Sequence, residues 1–307
     1  MTEVRNSARG AGWWLGMGTL RRGGLLWALS ACLAGSAMAG PLAGPRSDPT
    51  EATASPAARQ DAIQSIPFEK LDAASRAKAS SVLSNVTVFR RLPIRVVGCD
   101  PDLYLFLVRH PDVVVNIWEV LGIAQLRLRQ TGTDSYEVAE KEGTKANMQF
   151  LYRAHDTHVV YGEWSYTGSL LPRTIHGKCL AVLKSGYVRE TDGRYYVTNR
   201  LDAFLSVDPG AVELLTKTLH PLVVKNADSN FVQTVAFVGS LSRTAEVNSQ
   251  GMQRLIGKLS HVQPQVREKA AGVVATVAQR AAATTTSRQP SPTTGKVASR
   301  PKGAAER

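Results

Sequence analysis

The amino-acid sequence predicts an α+β protein in which one antiparallel β-sheet is covered by helices. Apolar and polar residues alternate from Ile123 to Val207 between turn signals, which is typical of strands joined by tight connections. Asp100-Pro101 and Asp208-Pro209 mark helix starts on either side of this region, because aspartate caps a helix and proline suits its first turn. The chain has 307 residues, 43% hydrophobic and 20% charged, which excludes a wholly disordered or collagen-like protein.

The N-terminus has the pattern of a secretory signal peptide. A basic stretch ending at Arg21-Arg22 precedes an apolar run of about ten residues, and Ala37-Met38-Ala39 has the small-residue form that signal peptidase cleaves. Because a membrane core needs roughly 20 apolar residues, this run is too short to be an anchor. We therefore expect residues 1–39 to be removed after Ala39 and the mature protein to be periplasmic or extracellular.

Two other export routes stay open. Leu29-Ser30-Ala31-Cys32 has the form of a bacterial lipobox, which would place a lipid on Cys32, and Arg21-Arg22 is compatible with a twin-arginine signal. The apolar run continues through Cys32 to Met38, which disfavours the lipobox because lipoproteins usually become polar soon after that cysteine.

The next segments predict a linker, a helix and a strand. Residues 40–64 are rich in Pro, Ala, Thr and Ser without apolar periodicity, which is typical of a disordered linker. Residues 65–84 carry a thin apolar stripe at helical spacing. Val88 to Val97 alternates as a strand, and Pro93 predicts an edge or a bulge there because proline has no N–H to donate.

Two short helices are predicted to follow this strand. The first begins at Asp100-Pro101 and should end before His110-Pro111, because proline clashes with the preceding helical turn. The second runs from Pro111 to Leu121 and ends on Gly122.

Six further strands complete a predicted seven-stranded antiparallel sheet. Their predicted ranges are Ile123–Arg129, Ser135–Ala139, Lys145–Ala154, His158–Tyr166, Thr174–Arg189 and Tyr195–Val207. Because side chains alternate between the faces of a strand, parity predicts one apolar face. This face carries Met148, Phe150, Tyr152, Trp164, Leu183, Tyr187, Leu201, Ala203 and Leu205. The other carries Arg153, Lys178, Lys184 and Arg200.

The C-terminal third is predicted to be helical and to end in a basic tail. Pro221 should kink or end the first helix, and Asp228 or Ser229 can cap a further helix up to residue 247. Residues 248–283 predict a helical extension, and residues 284–307 a disordered tail. This tail and residues 1–39 carry +4 and +3 of the net charge of +12, so the folded part does not require a specific nucleic-acid partner.

The order of these elements resembles that of a known superfamily. The order begins with a strand, the helix from Asp100-Pro101 through Phe106, the break at His110-Pro111-Asp112, and Trp118. It continues with six antiparallel strands and a long C-terminal helix. In this order the chain resembles START-like, or polyketide-cyclase-like (SRPBCC), proteins. The resemblance implies a helix-grip fold over residues 85–247, in which a curved sheet wraps around the C-terminal helix and leaves an apolar cavity. Many members have an acidic residue where His110 stands, so the sequence departs from the commonest pattern there. The segment from Arg90 to Trp118 also resembles uncharacterised exported proteins of planctomycetes, which supplies no activity.

The helix-grip resemblance implies a candidate ligand site between sheet and helix. The residues expected to line it are Met148, Phe150, Tyr152, Trp164, Leu183, Tyr187, Asn199 and Leu201. Tyr187 and Asn199 would supply polar groups for specificity. For each aromatic residue, packing in a solid core is the competing explanation.

No catalytic or metal site follows from the sequence. No G-x-S-x-G, nucleotide-binding glycine loop or C-x-x-C occurs. His155 and His158 are three residues apart on a predicted turn, and no Cys or third His lies nearby in sequence. Nothing places any two of Asp156, Glu163 and Asp202 across a substrate as general acid and base. In an oxidising compartment Cys99 and Cys179 could form a disulfide, or they could stay buried thiols.

Three functions are compatible with this sequence. The first is an exported protein that binds an apolar or amphipathic, lipid-like small molecule in the cavity, without a cofactor. The second is a packed structural protein of the envelope whose basic flanks bind an anionic surface. The third is a cyclase- or hydrolase-type enzyme, which requires polar groups with shifted pKa values inside the cavity.

Overall fold

The computed structural model describes residues 50–141, 143–167, 174–191, 193–214 and 220–288. The predicted signal peptide with Ala39 and Cys32, the loop at Gly168–Pro172 and the tail after residue 288 lie outside these residues. Among the helices described, none combines the length and the hydrophobicity that crossing a membrane requires.

The helices and strands follow one another along the chain in groups. The N-terminal elements are α1 (Pro56–Gln64), a 3-10 turn (Phe68–Lys70) and α2 (Ala73–Leu83). Next come β1 (Val88–Arg91), β2 (Arg95–Gly98), α3 (Pro101–Arg109) and α4 (Pro111–Val120). The strands that follow are β3 (Leu126–Gln130), β4 (Ser135–Glu140), β5 (Thr144–Arg153), β6 (Thr157–Tyr166), β7 (Ile175–Arg189) and β8 (Tyr195–Val207). The C-terminal helices are α5 (Pro209–Leu214), α6 (His220–Val247), α7 (Ser249–Gly257) and α8 (Pro264–Arg288).

The eight described strands form one antiparallel sheet. Strands β1 and β2 both pair with β8, and the order then continues β8-β7-β6-β5-β4-β3. This arrangement confirms the predicted α+β class, and with helices packed on the sheet it is helix-grip-like. The predicted number of strands was wrong by one, because Pro93 divides the segment Val88–Val97 into β1 and β2.

Both faces of the sheet are covered by helices. The inner face, which carries Phe150 and Leu205, packs with α3, α4, α6, α7 and α8 in one apolar core. The outer face, which carries Val159 and Phe204, packs with α1 and α2 in a second core. The prediction of a single apolar face is therefore corrected. The uninterrupted apolar run Cys179–Leu183 is the sequence signal for this, since such runs fit strands that are buried on both sides.

Helix α1 lies inside the segment predicted to be a disordered linker, and that prediction is corrected for residues 56–64. Ser55 caps the helix by accepting a hydrogen bond from the N–H of Ala58 at 3.2 Å, and Pro56 occupies the first turn. Ala58 and Ala62 are buried in the outer core. Packing against the sheet, rather than a periodic apolar stripe, therefore stabilises α1.

The C-terminal helices differ from the prediction in two ways. Pro221 is the second residue of α6, where its missing N–H breaks no helical hydrogen bond, so α6 continues to Val247. Asp228 is therefore not a helix cap, and its carboxylate accepts a hydrogen bond from Nε of Arg90 on β1 at 2.7 Å. Residues 248–283, predicted as an extension, contribute to the inner core through α7 and α8.

Asp100 joins the start of α3 to the C-terminal helices. As predicted, its carboxylate caps α3, accepting hydrogen bonds from the N–H groups of Asp102 and Leu103 at 3.0 and 3.2 Å. It also accepts one from Nη1 of Arg280 on α8 at 2.9 Å. The N–H of Asp100 donates to Oγ of Ser242 on α6 at 2.9 Å. These contacts fix α3 against α6 and α8.

Candidate functional site

Seven of the eight residues predicted to contact a ligand lie on the inner face. They are Met148, Phe150, Trp164, Leu183, Tyr187, Asn199 and Leu201. Tyr152 packs in the outer core instead, because a β-bulge between Phe150 and Tyr152 shifts the alternation. The bulge also brings Arg153, predicted on the opposite face, against Phe150, whose ring centre lies 4.0 Å from the guanidinium carbon. Both placements are corrections to the parity argument.

The middle of the inner face is not filled by the described core. Ala181 and Leu183 lie on β7, which has β6 on one side and β8 on the other, yet both keep solvent-accessible surface. Neither belongs to the apolar core that the described residues form around them. Their cross-strand neighbours Val160 and Leu201 contact that core and are also only half-buried. Protein interiors are normally close-packed, so accessible surface here indicates a space between sheet and helices.

Trp164 lies on the same inner face, further along β6. Its indole lies against Gly177 of β7, where a Cβ atom would stand 2.4 Å from Cζ2 of Trp164. Only glycine therefore leaves room for the ring in this position. The indole Nε1 is buried and has no hydrogen-bond partner among the described residues.

The two predicted polar contacts are already engaged within the protein. The hydroxyl of Tyr104 on α3 donates to Oδ1 of Asn199 at 2.6 Å and shares a hydrogen bond with Oγ of Ser185 at 2.7 Å. The hydroxyl of Tyr187 donates to the carbonyl of His155 at 2.8 Å. Asn199 therefore fixes α3 on the sheet, which the sequence did not indicate.

We expect Tyr104→Phe to destabilise the protein by about 1–3 kcal/mol, because it leaves the buried Oδ1 of Asn199 without its donor. Urea unfolding at neutral pH measures this loss. Tyr195→Phe is the matched control, since its ring lies at the turn end of the β7–β8 hairpin beside Arg189. Equal stability of the two variants would contradict a role for the buried hydroxyl in anchoring α3.

A second set of residues on and beside the inner face is polar, and it is buried at Asp112, Tyr136 and His158 and half-buried at His110 and Arg153. We call it the polar cluster and define it as His110, Asp112, Tyr136, Arg153 and His158. His110 lies at the break between α3 and α4, and Asp112 in the first turn of α4. His158 on β6 is the cross-strand partner of Arg153 on β5. The hydroxyl of Tyr136 on β4 donates to the main-chain carbonyl of the last α3 residue at 3.3 Å.

Several polar atoms of this cluster have no hydrogen-bond partner among the described residues. They are both ring nitrogens of His158, both carboxylate oxygens of Asp112 and Nδ1 of His110. His158 is 0% exposed and Asp112 is 1% exposed. Such groups are usually paired when buried, so their lack of partners distinguishes this region from ordinary core.

Burial shifts the pKa values of these groups. For His158, burial and then the charges of Arg109 and Arg153 lower the pKa to about 4. For His110, burial and then the charge of Arg153 also lower the pKa to about 4. Burial raises the pKa of Asp112 above its usual value. Both imidazoles are therefore neutral at pH 7.

The polar cluster bears on the enzyme hypothesis. It supplies the shifted pKa values which that hypothesis requires. However, His158 and Asp112 are completely enclosed, so a substrate reaches them only if the side chains that cover them move. The cluster is not arranged as an open catalytic site in this structure.

Sequence reasoning missed the polar cluster. His110-Pro111-Asp112 indicated a helix break and no buried site, and His158 was placed on a predicted turn at the start of a strand. Three separate segments meet here, and no spacing rule connects them. Within the described residues, no three His, Cys, Asp or Glu side chains are grouped to hold a metal ion.

Cys99 and Cys179 are both free and buried in the structure. They do not form the disulfide that the sequence left open as one alternative. Burial raises the pKa of each thiol to about 12, so neither is a reactive thiolate at neutral pH.

An open cleft lies between the turn end of the β7–β8 hairpin and helices α6 and α8. Its volume is about 760 Å³, and its walls include Arg189, Tyr195, Arg243, Glu246 and Arg280. Much of its charge is paired within the protein. Arg243 pairs with Glu246 at 2.9 Å, and Arg280 pairs with Asp100 at 2.9 Å. These internal ion pairs make the cleft a weaker candidate than the inner face.

Comparison with known proteins gives no family or relative by sequence. No protein-family model matches the chain, and a search of curated proteins finds no match.

Solved structures give similarity at low identity. A conserved protein from Geobacillus kaustophilus is 13% identical over 48% of this chain and 93% of that chain, with a TM-score of 0.35. Truncated norcoclaurine synthase from Thalictrum flavum is 13% identical over 47% of this chain and 94% of that chain, with a TM-score of 0.28. The di-domain ARO/CYC protein BexL from the BE-7585A biosynthetic pathway is 12% identical over 60% of this chain and 59% of that chain, with a TM-score of 0.32. These values assign neither a family nor an activity, and the fold described above rests on the observed strand order.

Proposed function

We propose that this protein binds an apolar or amphipathic, lipid-like small molecule between the inner face of the sheet and the helices that cover it. The observation that carries the proposal is the half-buried state of Ala181 and Leu183 at the middle of a covered sheet. Burying such apolar surface against a ligand contributes about 25 cal/mol for each Å² removed from water.

The side chains around this position suit a ligand of low polarity. Ala181 and its neighbour across the strand pair, Val160, are small and apolar, and Phe150 lies directly opposite Val160 on the next strand. Small apolar side chains beside an aromatic ring leave room for an apolar molecule that lies on the sheet.

We also propose that binding takes place outside the cytoplasm. This part of the proposal is supported by the sequence of residues 1–39 alone, where Ala37-Met38-Ala39 follows a short apolar run.

Ala181→Trp tests the proposed site, because an indole at this position occupies the space that the ligand needs. We expect the affinity for phenylnaphthylamine, a neutral fluorescent probe of apolar sites, to fall by about tenfold or more, equivalent to roughly 1.4 kcal/mol. Titration of the probe against the full-length purified protein measures the effect. Val188→Trp is the matched control, since it adds the same ring to β7 at a residue that is 52% exposed.

The two variants separate the site from general surface effects. Loss of probe binding in Ala181→Trp together with retention in Val188→Trp supports the inner-face site. Failure of the wild-type protein to bind the probe, or equal binding by both variants, would overturn the proposed function.

A further inference from the structure

Arg109, the last residue of α3, is a half-buried arginine that has no counter-charge among the residues the structure describes. Its Nε is buried and has no hydrogen-bond partner, and no described carboxylate forms an ion pair with it. Arg153 differs, because Oδ1 of Asp134 lies 2.9 Å from its Nε. A buried N–H donor that is left without an acceptor is unfavourable, so an acceptor at this position would be stabilising.

Arg109 lies at the end of α3, which crosses the inner face beside its half-buried middle. Tyr104 on α3 hydrogen-bonds through its hydroxyl to Ser185 and Asn199, and the main-chain carbonyl of Arg109 accepts a hydrogen bond from the Tyr136 hydroxyl at 3.3 Å. In keeping with this position, the positive charge of Arg109 contributes, after burial, to the pKa shifts of His158 and Tyr187. His158 is the cross-strand partner of Leu183, one of the two residues that the described core leaves accessible. Arg109 therefore borders the space in which we place the ligand.

Asp156 is the acidic residue to consider as an internal partner for Arg109. Its charge also acts on His158 and Tyr187, so it lies in the same neighbourhood. Its Oδ1 accepts a hydrogen bond from the Thr157 hydroxyl at 3.1 Å, and its side chain is exposed. It forms no ion pair with Arg109 in the described structure, so the guanidinium stays available to a ligand.

We propose that the ligand of the inner face carries an anionic head group, a carboxylate or a phosphate monoester, which Arg109 binds. The inference rests on the proposed function and adds the chemical class of the ligand. A planar guanidinium donates parallel hydrogen bonds to both kinds of group, and the unpartnered Nε is one such donor.

The apolar part of the ligand would then lie along β6 and β7, past Leu183 and Ala181. In this direction Trp164 is six residues from His158 on β6, a distance of about 20 Å at the usual rise of a strand. This stretch of the inner face therefore has the length of an extended hydrocarbon chain, and we place the charged end of the ligand at Arg109.

The test compares three amphiphiles that share one alkyl chain and differ in their head group. Dodecanol, laurate and dodecyl phosphate are each titrated against bound phenylnaphthylamine on the full-length protein at neutral pH, with dodecanol below its solubility limit and the two anions below their micelle-forming concentrations. We expect at least one of the two anions to displace the probe at about a tenfold lower concentration than dodecanol. A gain in affinity of this size is what one hydrogen bond to a charged group contributes. The stronger of the two anions identifies the head group as carboxylate or phosphate.

Arg109→Met removes the charge and keeps an unbranched side chain of similar length. We expect it to abolish the preference for the anion, a loss of about tenfold, while the affinity for dodecanol stays unchanged. Arg109→Lys keeps a point charge and should retain part of the preference. Arg127→Met is the control, because Arg127 on β3 has a 75% exposed side chain remote from the inner face.

The outcomes distinguish this inference from the proposed function. Equal displacement by all three amphiphiles would overturn the anionic head group and leave the binding function intact. If neither the probe nor any amphiphile binds, the proposed function itself is wrong. If Arg109→Met weakens all three equally, Arg109 acts through packing and the inference fails. Should that variant not fold, the head-group comparison in the wild-type protein decides by itself.

Discussion

Replacing Asp202 by alanine should destabilise the fold by about 3 kcal/mol, the largest effect that we expect from a single substitution here. The Asp202 side chain on β8 is 0% exposed and lies on the outer face of the sheet. Its two carboxylate oxygens accept hydrogen bonds from Nε of Arg91 at 2.5 Å and from Nε of Arg200 at 2.9 Å. Removing the carboxylate leaves two largely buried guanidinium groups without the negative charge that offsets their burial. The loss of stability is far larger than the contribution of an exposed ion pair.

This ion cluster also holds the N-terminal helix in place. Asp61 on α1 lies 2.6 Å from Arg91 and 2.9 Å from Arg200, so the same two arginines connect the helix to β1 and β8. Asp61 is 55% exposed and cannot replace the buried carboxylate. We therefore expect Asp202→Ala also to loosen α1 from the outer face, with faster proteolysis near residues 50–64.

Guanidinium chloride unfolding of Asp202→Ala and of the wild-type protein measures the loss of stability. Glu137→Ala is the control, because the Arg129–Glu137 pair is 69% and 52% exposed and its removal should cost less than about 1 kcal/mol. A loss in Asp202→Ala no larger than in Glu137→Ala would contradict the structural role of the buried cluster.

The strands were predictable from the sequence because their two-residue period is visible between clear turn signals. The predicted Tyr195–Val207 coincides with β8, and Thr174–Arg189 differs from β7 by one residue. Face assignment worked as long as the alternation was regular. It failed at Tyr152, because a β-bulge adds one residue to the pairing and carries no local mark in the sequence.

Features created by tertiary contacts were not predictable. Helix α1 is built from Pro, Ala and polar residues, and burial of Ala58 and Ala62 against the sheet orders it. The same reasoning applies to the candidate site. Leu183 was assigned to the inner face by parity, whereas the polar neighbours of this face, such as His158 and Arg109, are brought together from different elements by the fold.

The second large effect should be a pH dependence of stability that comes from His158. Burial and the charges of Arg109 and Arg153 hold its pKa at about 4 in the folded protein, against 6.5 as the ordinary value. Between these values the unfolded chain binds a proton that the folded chain does not, so stability falls as the pH is lowered from 6.5 to 4. Each pKa unit corresponds to about 1.4 kcal/mol, so His158 accounts for roughly 3 kcal/mol over this range.

Two other groups of the polar cluster titrate in acid and must be separated from His158. His110, whose pKa burial also lowers to about 4, acts in the same direction. Asp112 acts in the opposite direction, because burial raises its pKa and the folded chain then binds a proton more readily than the unfolded chain. The wild-type profile is therefore a sum of opposing contributions, and a substitution at His158 is needed to isolate its share.

His158→Phe should remove most of the His158 contribution, leaving a curve that is flatter by roughly 3 kcal/mol between pH 6.5 and pH 4. Phenylalanine fills a similar volume next to Phe150 and eliminates two buried nitrogens that have no partner, so stability at pH 7 should equal or exceed that of the wild type. Urea unfolding at a series of pH values measures both effects, with His176→Phe as the control for an exposed histidine on β7. If stability falls between pH 6.5 and pH 4 as steeply in His158→Phe as in the wild type, this imidazole is not excluded from water. Ligand or solvent would then already reach the polar cluster.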